Sequence, residues 1–171
     1  MDDLTARLIA ARDGDRHALV AAIRESQPDV WRCCAWLVDR DSADDLAQET
    51  YLRAIKALPR YRADAAGRTW LLSIARRTCA DALRRRVRRR RLHRWVPEPT
   101  DTPDGARQVE LELLVGALDP DRRVAFVLTQ LIGCSYEEAA QACAVPVGTI
   151  RSRVARARGD LARVMRTAEA I

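Results

Sequence analysis

Hydrophobic residues recur along this chain with the period of an α-helix. Apolar side chains return every three or four positions, as at Leu4 and Leu8 or Ile150 and Val154, and no stretch alternates apolar and polar residues like a strand. The pattern predicts an all-α protein. With turn and capping residues as boundaries, the predicted helices cover residues 4–12, 16–37, 42–58, 68–91, 106–118, 120–132, 135–143 and 146–168.

Several boundary residues make specific predictions. Pro28 lies inside the second helix, and because proline lacks an N–H and crowds the preceding turn, a break or restart is expected there. Ser42 is a favourable N-cap for the third helix. Ser135, with Glu138 three residues later, has the spacing of a capping box. The inner stripe of the last helix is expected to contain Ile150, Val154, Ala157, Leu161 and Val164.

Residues 93–106 divide the helices into two groups. This segment contains three prolines and three acidic residues, a composition typical of a linker. We therefore expect one unit at residues 1–92 and a second at residues 107–171. The acidic residues of the linker are Glu98, Asp101 and Asp104.

The formal net charge of +6 is unevenly distributed over the 171 residues. Residues 65–97 carry +10 and residues 151–171 carry +4, whereas residues 1–64 carry −2 and residues 98–150 carry −6. Two basic blocks separated by acidic stretches are typical of a protein that binds a polyanion such as nucleic acid.

The composition disfavours several other classes of protein. No apolar run approaches the roughly 18 residues of a membrane span, and the acidic N-terminus lacks a signal-peptide pattern, so a cytoplasmic location is expected. The five cysteines form no Cys-x-x-Cys pair, the two histidines are far apart, and no glycine-rich phosphate loop is present. We therefore expect no catalytic residues, no metal site and no cofactor.

The last two predicted helices, joined by a tight turn, have the arrangement of a helix-turn-helix. Opposite its apolar stripe, the final helix has small residues that allow close approach to a major groove, flanked by arginines that reach base edges or phosphates. An amphipathic helix with a solvated basic face is the alternative. The face opposite the apolar stripe, with its flanking arginines, consists of Gly148, Thr149, Arg151, Ser152, Arg153, Ala155, Arg156 and Arg158.

A second basic region lies at the end of the fourth helix, where ten of the 19 residues from Arg76 to Arg94 are arginine. Arginines at this density suit the neutralisation of phosphates better than the reading of bases, and a solvated helix end is the alternative. The preceding segment, residues 59–76, places Tyr61 and Trp70 among arginines. Such aromatic rings could hold unstacked bases, although Trp70 is equally compatible with a core position.

The third helix has a second, mixed face beside its apolar stripe. Acids, an amide and an exposed leucine on one face favour a protein-docking surface, although a plain solvated surface explains them equally well. The residues are Asp45, Gln48, Glu49, Leu52 and Lys56.

Three segments, in this order, resemble those of bacterial extracytoplasmic-function (ECF, group 4) RNA polymerase sigma factors. Residues 44–54 (DDLAQETYLRA) are similar to the polymerase-binding segment of that family, and residues 68–76 (RTWLLSIAR) to its promoter-melting segment. Residues 136–140 (YEEAA) with 145–153 (VPVGTIRSR) are similar to its −35-reading helix-turn-helix. The resemblance implies a sigma-2-like helical bundle and a sigma-4-like helix-turn-helix domain joined by the acidic linker.

The resemblance also implies a function, that of an alternative sigma factor which binds core RNA polymerase and recognises −10 and −35 promoter elements. The clamp helices of the β′ subunit would receive Asp45, Gln48, Glu49 and Leu52, and the β flap would be a further contact. The −10 DNA would be held by Tyr61, Arg62, Arg68, Thr69, Trp70, Arg76, Arg77, Arg84 and Arg85. The −35 DNA would be read by Thr149, Arg151, Ser152, Arg153, Ala155, Arg156 and Arg158. The linker would thread the polymerase cleft.

Three positions depart from the family's pattern. Arg77 stands where asparagine is usual, and Ala139 replaces a larger aliphatic residue. Ala144 stands where glycine is usual in the turn, so that a positive φ there would cost about 1 kcal/mol.

Regulation and alternative functions remain open on the sequence. The charge complementarity between segments suggests occlusion of one domain by the other, and a separate anti-sigma factor is the other possibility. A stand-alone helix-turn-helix repressor or activator is a second class of function. An enzyme acting on nucleic acid is a third, with Asp44, Asp45 and Glu49 as its carboxylates.

Overall fold

The computed structural model describes residues 2–92 and 106–169; of residues 90–92, 106–110 and 167–169 it describes the backbone alone. These residues form helices and no strand, as the periodicity predicts. The helices are α1 (Asp3–Arg12), α2 (Arg16–Leu37), α3 (Ala43–Ala57), α4 (Gly67–Leu92), α5 (Ala106–Gly116), α6 (Pro120–Phe126), α7 (Tyr136–Cys143) and α8 (Val147–Glu169). A 3-10 turn (Leu58–Arg60) follows α3, and a π-helical turn (Val127–Leu131) continues α6. The predicted linker residues Glu98, Asp101 and Asp104 lie outside the described residues.

Helices α1–α4 form a bundle in which α2 packs against the other three. Val30, Cys33 and Leu72 are fully buried between α2 and α4. The start of α4 is fixed by Gly67, whose N–H donates to Thr5 Oγ1 at 2.7 Å. A Cβ atom on residue 67 would lie 2.7 Å from Leu8 Cδ1, so glycine is what allows α1 to pack over this helix end.

Two boundary predictions are wrong. Helix α2 runs without a break through Pro28. Pro28 has no N–H to donate to the carbonyl of Arg24, four residues earlier. Both residues are exposed, so water can donate to that carbonyl instead. Ser42 precedes α3 but its side chain does not cap the helix. Its hydroxyl instead accepts a hydrogen bond from Arg86, and its N–H donates to Asp39.

The start of α7 has the capping box that the sequence predicts, and the turn after α7 contains a left-handed residue. Ser135 Oγ accepts from the Glu138 N–H at 3.0 Å, and the Glu138 carboxylate accepts from the Ser135 N–H at 2.7 Å, which completes the capping box. Ala144 has φ 55° and is therefore left-handed, a conformation that costs alanine about 1 kcal/mol relative to glycine.

Helices α6, α7 and α8 enclose the core of the C-terminal half. Ile150, Val154 and Ala157 are buried, as expected of the inner stripe of α8. Val164 was expected in the same stripe, but this is wrong because it is 45% exposed. The burial of α8 ends at Ala162, so its last turns extend beyond the neighbouring helices.

The two helical groups pack against each other. Helix α4 contacts α7, and α2 contacts both α5 and the π-helical turn. Buried residues of the two halves therefore form one continuous hydrophobic cluster. Among the described helices, none is sufficiently long and apolar to cross a membrane.

Candidate nucleic-acid interface

Helix α8 presents an exposed face opposite its buried stripe. Arg151, Ser152, Ala155 and Arg156 are exposed, whereas Thr149 at the start of the helix is half-buried. Arg151 and Arg156 have no hydrogen-bonding or ionic partner within the described part of the chain. Their guanidinium groups are therefore available to a ligand, and the small side chains between them leave room for a groove edge.

Two other arginines of α8 are held inside the C-terminal half. Arg153 pairs with Asp121 of α6, and its side chain is only 23% exposed. Arg158 donates to Gln130 Oε1 at 2.6 Å. Both contacts tie α8 to the segment formed by α6 and the π-helical turn. The sequence of α8 does not show which of its arginines are paired, because the partners of Arg153 and Arg158 lie some 30 residues earlier in the chain.

The segment before α4 has a buried base and an exposed tip. Tyr61 is 4% exposed, with its ring centroid 4.6 Å from that of Trp70, and its hydroxyl donates to the Ala65 carbonyl at 2.9 Å. Thr69 is 3% exposed, and its hydroxyl has no partner among the described residues. Arg62, at the tip, is strongly exposed beside Asp64. Tyr61 and Thr69 therefore support the segment from its buried side, and the cation Arg62 is exposed at its tip.

Arg68 and Arg76, on α4, reach across to the C-terminal half. Arg68 Nε donates to Asp29 at 2.6 Å and its Nη2 donates to the Ile132 carbonyl at 2.6 Å. Burial is the largest influence on the pKa of Arg68 and acts to lower it, but the pairing with Asp29 and other nearby negative groups together raise the pKa above its ordinary value. Arg76 Nε donates to the Ala142 carbonyl at 3.2 Å.

Most of the other described cations of α4 are exposed; the exception is Arg86, which pairs with Asp39 and donates to Ser42. Arg77 is exposed and bonds back to Ser73, and Arg84 pairs with Asp81. Arg85, Arg88 and Arg89 are exposed and have no partner in the part of the chain that is described. As far as Arg89, the outer side of α4 therefore forms a dense positive surface.

The mixed face of α3 is exposed, as a docking surface requires. Asp45, Gln48 and Leu52 are exposed, with Leu52 at 50%. Glu49 is half-buried because Arg53 Nε donates to its carboxylate at 2.8 Å. Ile55 is also exposed and enlarges the apolar part of this face.

The described cysteines are mostly buried, and the described acids and histidines do not gather into a metal-binding cluster. Within the described ranges, no three side chains of His, Cys, Asp or Glu come together to hold a metal. Cys33, Cys34 and Cys79 are buried. Burial raises the pKa of Cys134 to about 11, so this thiol is protonated at neutral pH.

Comparison with known proteins shows that the two segments carrying these surfaces each match a protein family. "Sigma-70 region 2" matches residues 22–89 and "Sigma-70, region 4" matches residues 108–161. The chain is 48% identical over 165 residues to the ECF RNA polymerase sigma factor SigC of Mycobacterium tuberculosis, with 92% of this chain and 89% of that protein covered. It is 33% identical to the ECF RNA polymerase sigma factor SigM of the same species, with 94% and 84% covered.

Solved structures share the fold. The structure of CnrH in complex with the cytosolic domain of CnrY has a TM-score of 0.78 and covers 97% of this chain and 99% of that one; at 22% identity the likeness concerns the fold alone. The sigma factor RpoE in complex with the anti-sigma factor NepR from Bartonella quintana has a TM-score of 0.72 at 27% identity, with 84% and 94% covered.

Proposed function

Because this chain belongs to the extracytoplasmic-function family of RNA polymerase sigma factors, we propose that its exposed surfaces divide between core polymerase and promoter DNA. The chain is an alternative sigma factor that directs transcription initiation. We assign polymerase docking and −10 recognition to residues 1–92 and −35 recognition to residues 107–171. The protein would act in the cytoplasm and carry out no chemistry of its own, since catalysis belongs to the polymerase.

The mixed face of α3 is the proposed docking site. Asp45, Gln48 and Leu52 are exposed side by side, and Arg53 holds Glu49 in a fixed orientation at their edge. An exposed leucine framed by polar groups suits the clamp helices of β′, since its burial there removes apolar surface from water. The β flap is the proposed contact of the C-terminal half.

Two surfaces are proposed for promoter DNA. On α8, the exposed Arg151 and Arg156 would read −35 base edges, with Ser152 and Ala155 at the groove. On the N-terminal half, Arg62, Trp70 and the cations of α4 would hold the −10 element, with Tyr61 and Thr69 as internal support. The observation that carries this proposal is that both exposed basic surfaces lie on segments matched by sigma-70 regions.

Regulation has two candidates. RpoE of Bartonella quintana was crystallised with the anti-sigma factor NepR, and a protein of that kind is one candidate partner for this chain. Occlusion of one half by the other is the second candidate, supported by the direct packing of α4 on α7. In the packed state the reading face of α8 is exposed, so occlusion would act on the −10 side.

Reconstitution with core RNA polymerase tests the function. We expect the chain to form a holoenzyme that initiates from a promoter selected from a random-sequence library. The double variant Asp45→Arg/Leu52→Asp should bind core polymerase at least about 30-fold more weakly, since loss of a central contact typically costs 2 kcal/mol or more. Binding of its helix-turn-helix to −35 duplex DNA should be unchanged.

The matched control is Asp41→Arg, an exposed acid in the turn before α3. This variant should bind polymerase like the wild type. Equal polymerase affinity for the double variant would move the docking site away from α3, and the absence of any holoenzyme with the wild type would overturn the proposed function.

A further inference from the structure

Helix α1 packs against the 3-10 turn and against α4, which lie on either side of residues 61–66. We refer to residues 61–66 as the 61–66 loop; it carries the exposed Arg62 of the proposed −10 surface. The match to sigma-70 region 2 begins at residue 22 and so does not include α1. Two polar side chains of α1, Thr5 and Arg12, nevertheless bond to the two ends of this loop.

Thr5 anchors the end of the loop. Its hydroxyl accepts a hydrogen bond from the Gly67 N–H at 2.7 Å and donates one to Asp2 Oδ2 at 2.5 Å. Asp2 Oδ1 accepts from the Thr5 N–H at 2.9 Å, which fixes the threonine in the first turn of α1. A hydroxyl that donates to a carboxylate is polarised and becomes a stronger acceptor for the Gly67 N–H. Because Thr5 is 4% exposed, water has little access to this bond.

Arg12 anchors the start of the loop. Its Nη1 donates to the Tyr61 carbonyl at 3.1 Å. The Asp13 carboxylate orients the guanidinium, since it accepts from Arg12 Nε at 2.8 Å and from Nη2 at 3.2 Å. The loop is therefore tied to α1 at both ends.

Between these anchors the loop has a backbone that its own residues do little to stabilise. Ala63 has φ 59°, and the left-handed region is unfavourable for alanine. The ion pair of Arg62 with Asp64 is strongly exposed and contributes little. Burial raises the pKa of Tyr61, so its hydroxyl stays protonated and donates to the Ala65 carbonyl. That bond and the two anchors on α1 together offset the cost at Ala63.

We infer that α1 is a positioning element for base selection at the −10 element, and that Thr5 and Arg12 hold the 61–66 loop in the conformation that receives a base. The inference rests on the proposed function, which assigns −10 recognition to this part of the chain. A loop that is already ordered does not pay for its ordering when the strand binds. Arg84 and Arg85, by contrast, make no hydrogen bond to α1 within the described ranges. Loss of the anchors should therefore remove base selection and leave phosphate binding in place.

Thr5→Val tests the anchor, because it removes the hydroxyl with little change of shape. The probe is the −10 non-template strand that the wild-type holoenzyme selects from a random pool, compared with a scrambled strand. The variant holoenzyme should bind the selected strand about tenfold more weakly, as expected if the competent loop is populated about one-tenth of the time. Binding of the scrambled strand depends on phosphates and should stay unchanged. Thr5→Ser restores the hydroxyl and should bind both strands like the wild type.

The matched control is Thr78→Val. Thr78 is also fully buried in the N-terminal half, but its hydroxyl donates to the Ile74 carbonyl of its own helix at 3.0 Å. It lies about three helical turns beyond Gly67 on α4, so this variant should select the strand like the wild type. Equal loss of selection in Thr5→Val and Thr78→Val would mean that the stability of the bundle determines base selection, and would overturn the inference.

Arg12→Met tests the second anchor at a side chain that is 31% exposed, so the core of the bundle is left intact. Loss of one hydrogen bond to the Tyr61 carbonyl should weaken binding of the selected strand about threefold. Arg7→Gln is its control, since Arg7 lies on the same helix but pairs with Glu25 and not with the loop. Selection at the wild-type level in both Arg12→Met and Thr5→Val would overturn the inference.

Hydrogen exchange of the free chain measures the anchor separately from the function. Exchange in residues 61–70 should rise several-fold in Thr5→Val and stay unchanged in Thr78→Val. Unchanged exchange in Thr5→Val, or full selection by a variant whose loop exchanges faster, would overturn the inference while the proposed function stands. A wild-type holoenzyme that selects no −10 strand would overturn the proposed function, and the role of α1 in base selection with it.

Discussion

Neighbouring arginines on α8 differ in what they can bind, and the difference lies in their surroundings. Arg156 is exposed and has no partner among the described residues, whereas Arg153 is directed back onto Asp121. A guanidinium already paired within the protein must give up that contact before it reaches DNA. The helical period correctly places both near the exposed side of α8, but it carries no information about Asp121, which lies 32 residues earlier.

We expect Arg156→Ala and Arg153→Ala to lose different properties. Arg156→Ala should weaken binding to a −35 duplex, selected from a random pool by the wild type, by about 1–3 kcal/mol if the arginine contacts a guanine in a bidentate manner. Its free energy of unfolding should change by less than about 0.5 kcal/mol. Arg153→Ala should lower the free energy of unfolding by about 1 kcal/mol or less, since Asp121 is exposed, and should leave the preference for the selected duplex intact.

Fluorescence anisotropy on selected and scrambled duplexes, with urea unfolding in parallel, measures both effects. An equal loss on all duplexes for Arg156→Ala would indicate a phosphate contact. A selective loss for Arg153→Ala as large as that of Arg156→Ala would show that the pair with Asp121 opens on DNA.

At the scale of single elements, the sequence predicts boundaries well where the partners are local. The capping box of Ser135 and Glu138 forms because both residues belong to one helix turn. Ser42 lies at the start of α3 without capping it, because its backbone is not in the extended conformation that capping needs, and its hydroxyl accepts from Arg86, 44 residues away. Helix α2 continues through Pro28 for a similar reason: its packing against three other helices outweighs the local cost of a proline.

Pro28→Ala should therefore stabilise the protein. An interior proline costs a helix roughly 3 kcal/mol, of which about 1 kcal/mol is offset because proline also restricts the unfolded chain. We expect the free energy of unfolding to rise by about 2 kcal/mol, measured by urea denaturation. Gln27→Ala, at the preceding exposed position, is the control and should change it by less than about 0.5 kcal/mol. A loss of stability in Pro28→Ala would mean that the proline ring makes a favourable contact with its surroundings.

On the scale of the whole molecule, the charge pattern predicts two nucleic-acid surfaces but not the contact between them. The block at residues 65–97 and the block at residues 151–171 supply the cations of α4 and α8. The arginine contacts between the halves were beyond sequence reasoning, because their acceptors are main-chain carbonyls whose positions depend on how the halves pack. The same packing divides the arginines of α4 into those engaged with α7, such as Arg76, and those left in solvent, such as Arg85.

The solvent-facing arginines of α4 should act through charge alone. Arg85, Arg88 and Arg89 are exposed without acidic partners in the described ranges, and each phosphate that they neutralise should contribute about 0.9 to the slope of log affinity against log salt. Replacing all three by alanine should lower that slope by up to about 3 for holoenzyme binding to promoter DNA. Affinity for promoter and for unrelated DNA should fall by the same factor, because phosphates carry no sequence information.

The matched control replaces Arg16, Arg24 and Arg40 by alanine, exposed arginines that lie outside the proposed DNA surfaces. It changes the net charge equally, so a slope reduced as much as in the α4 variant would mean that overall charge, and not the position of these arginines, determines the salt dependence. A variant of α4 that kept the slope but lost discrimination between promoter and unrelated DNA would assign base reading to the end of this helix. Either result would contradict the proposal that α4 binds phosphates while α8 reads bases.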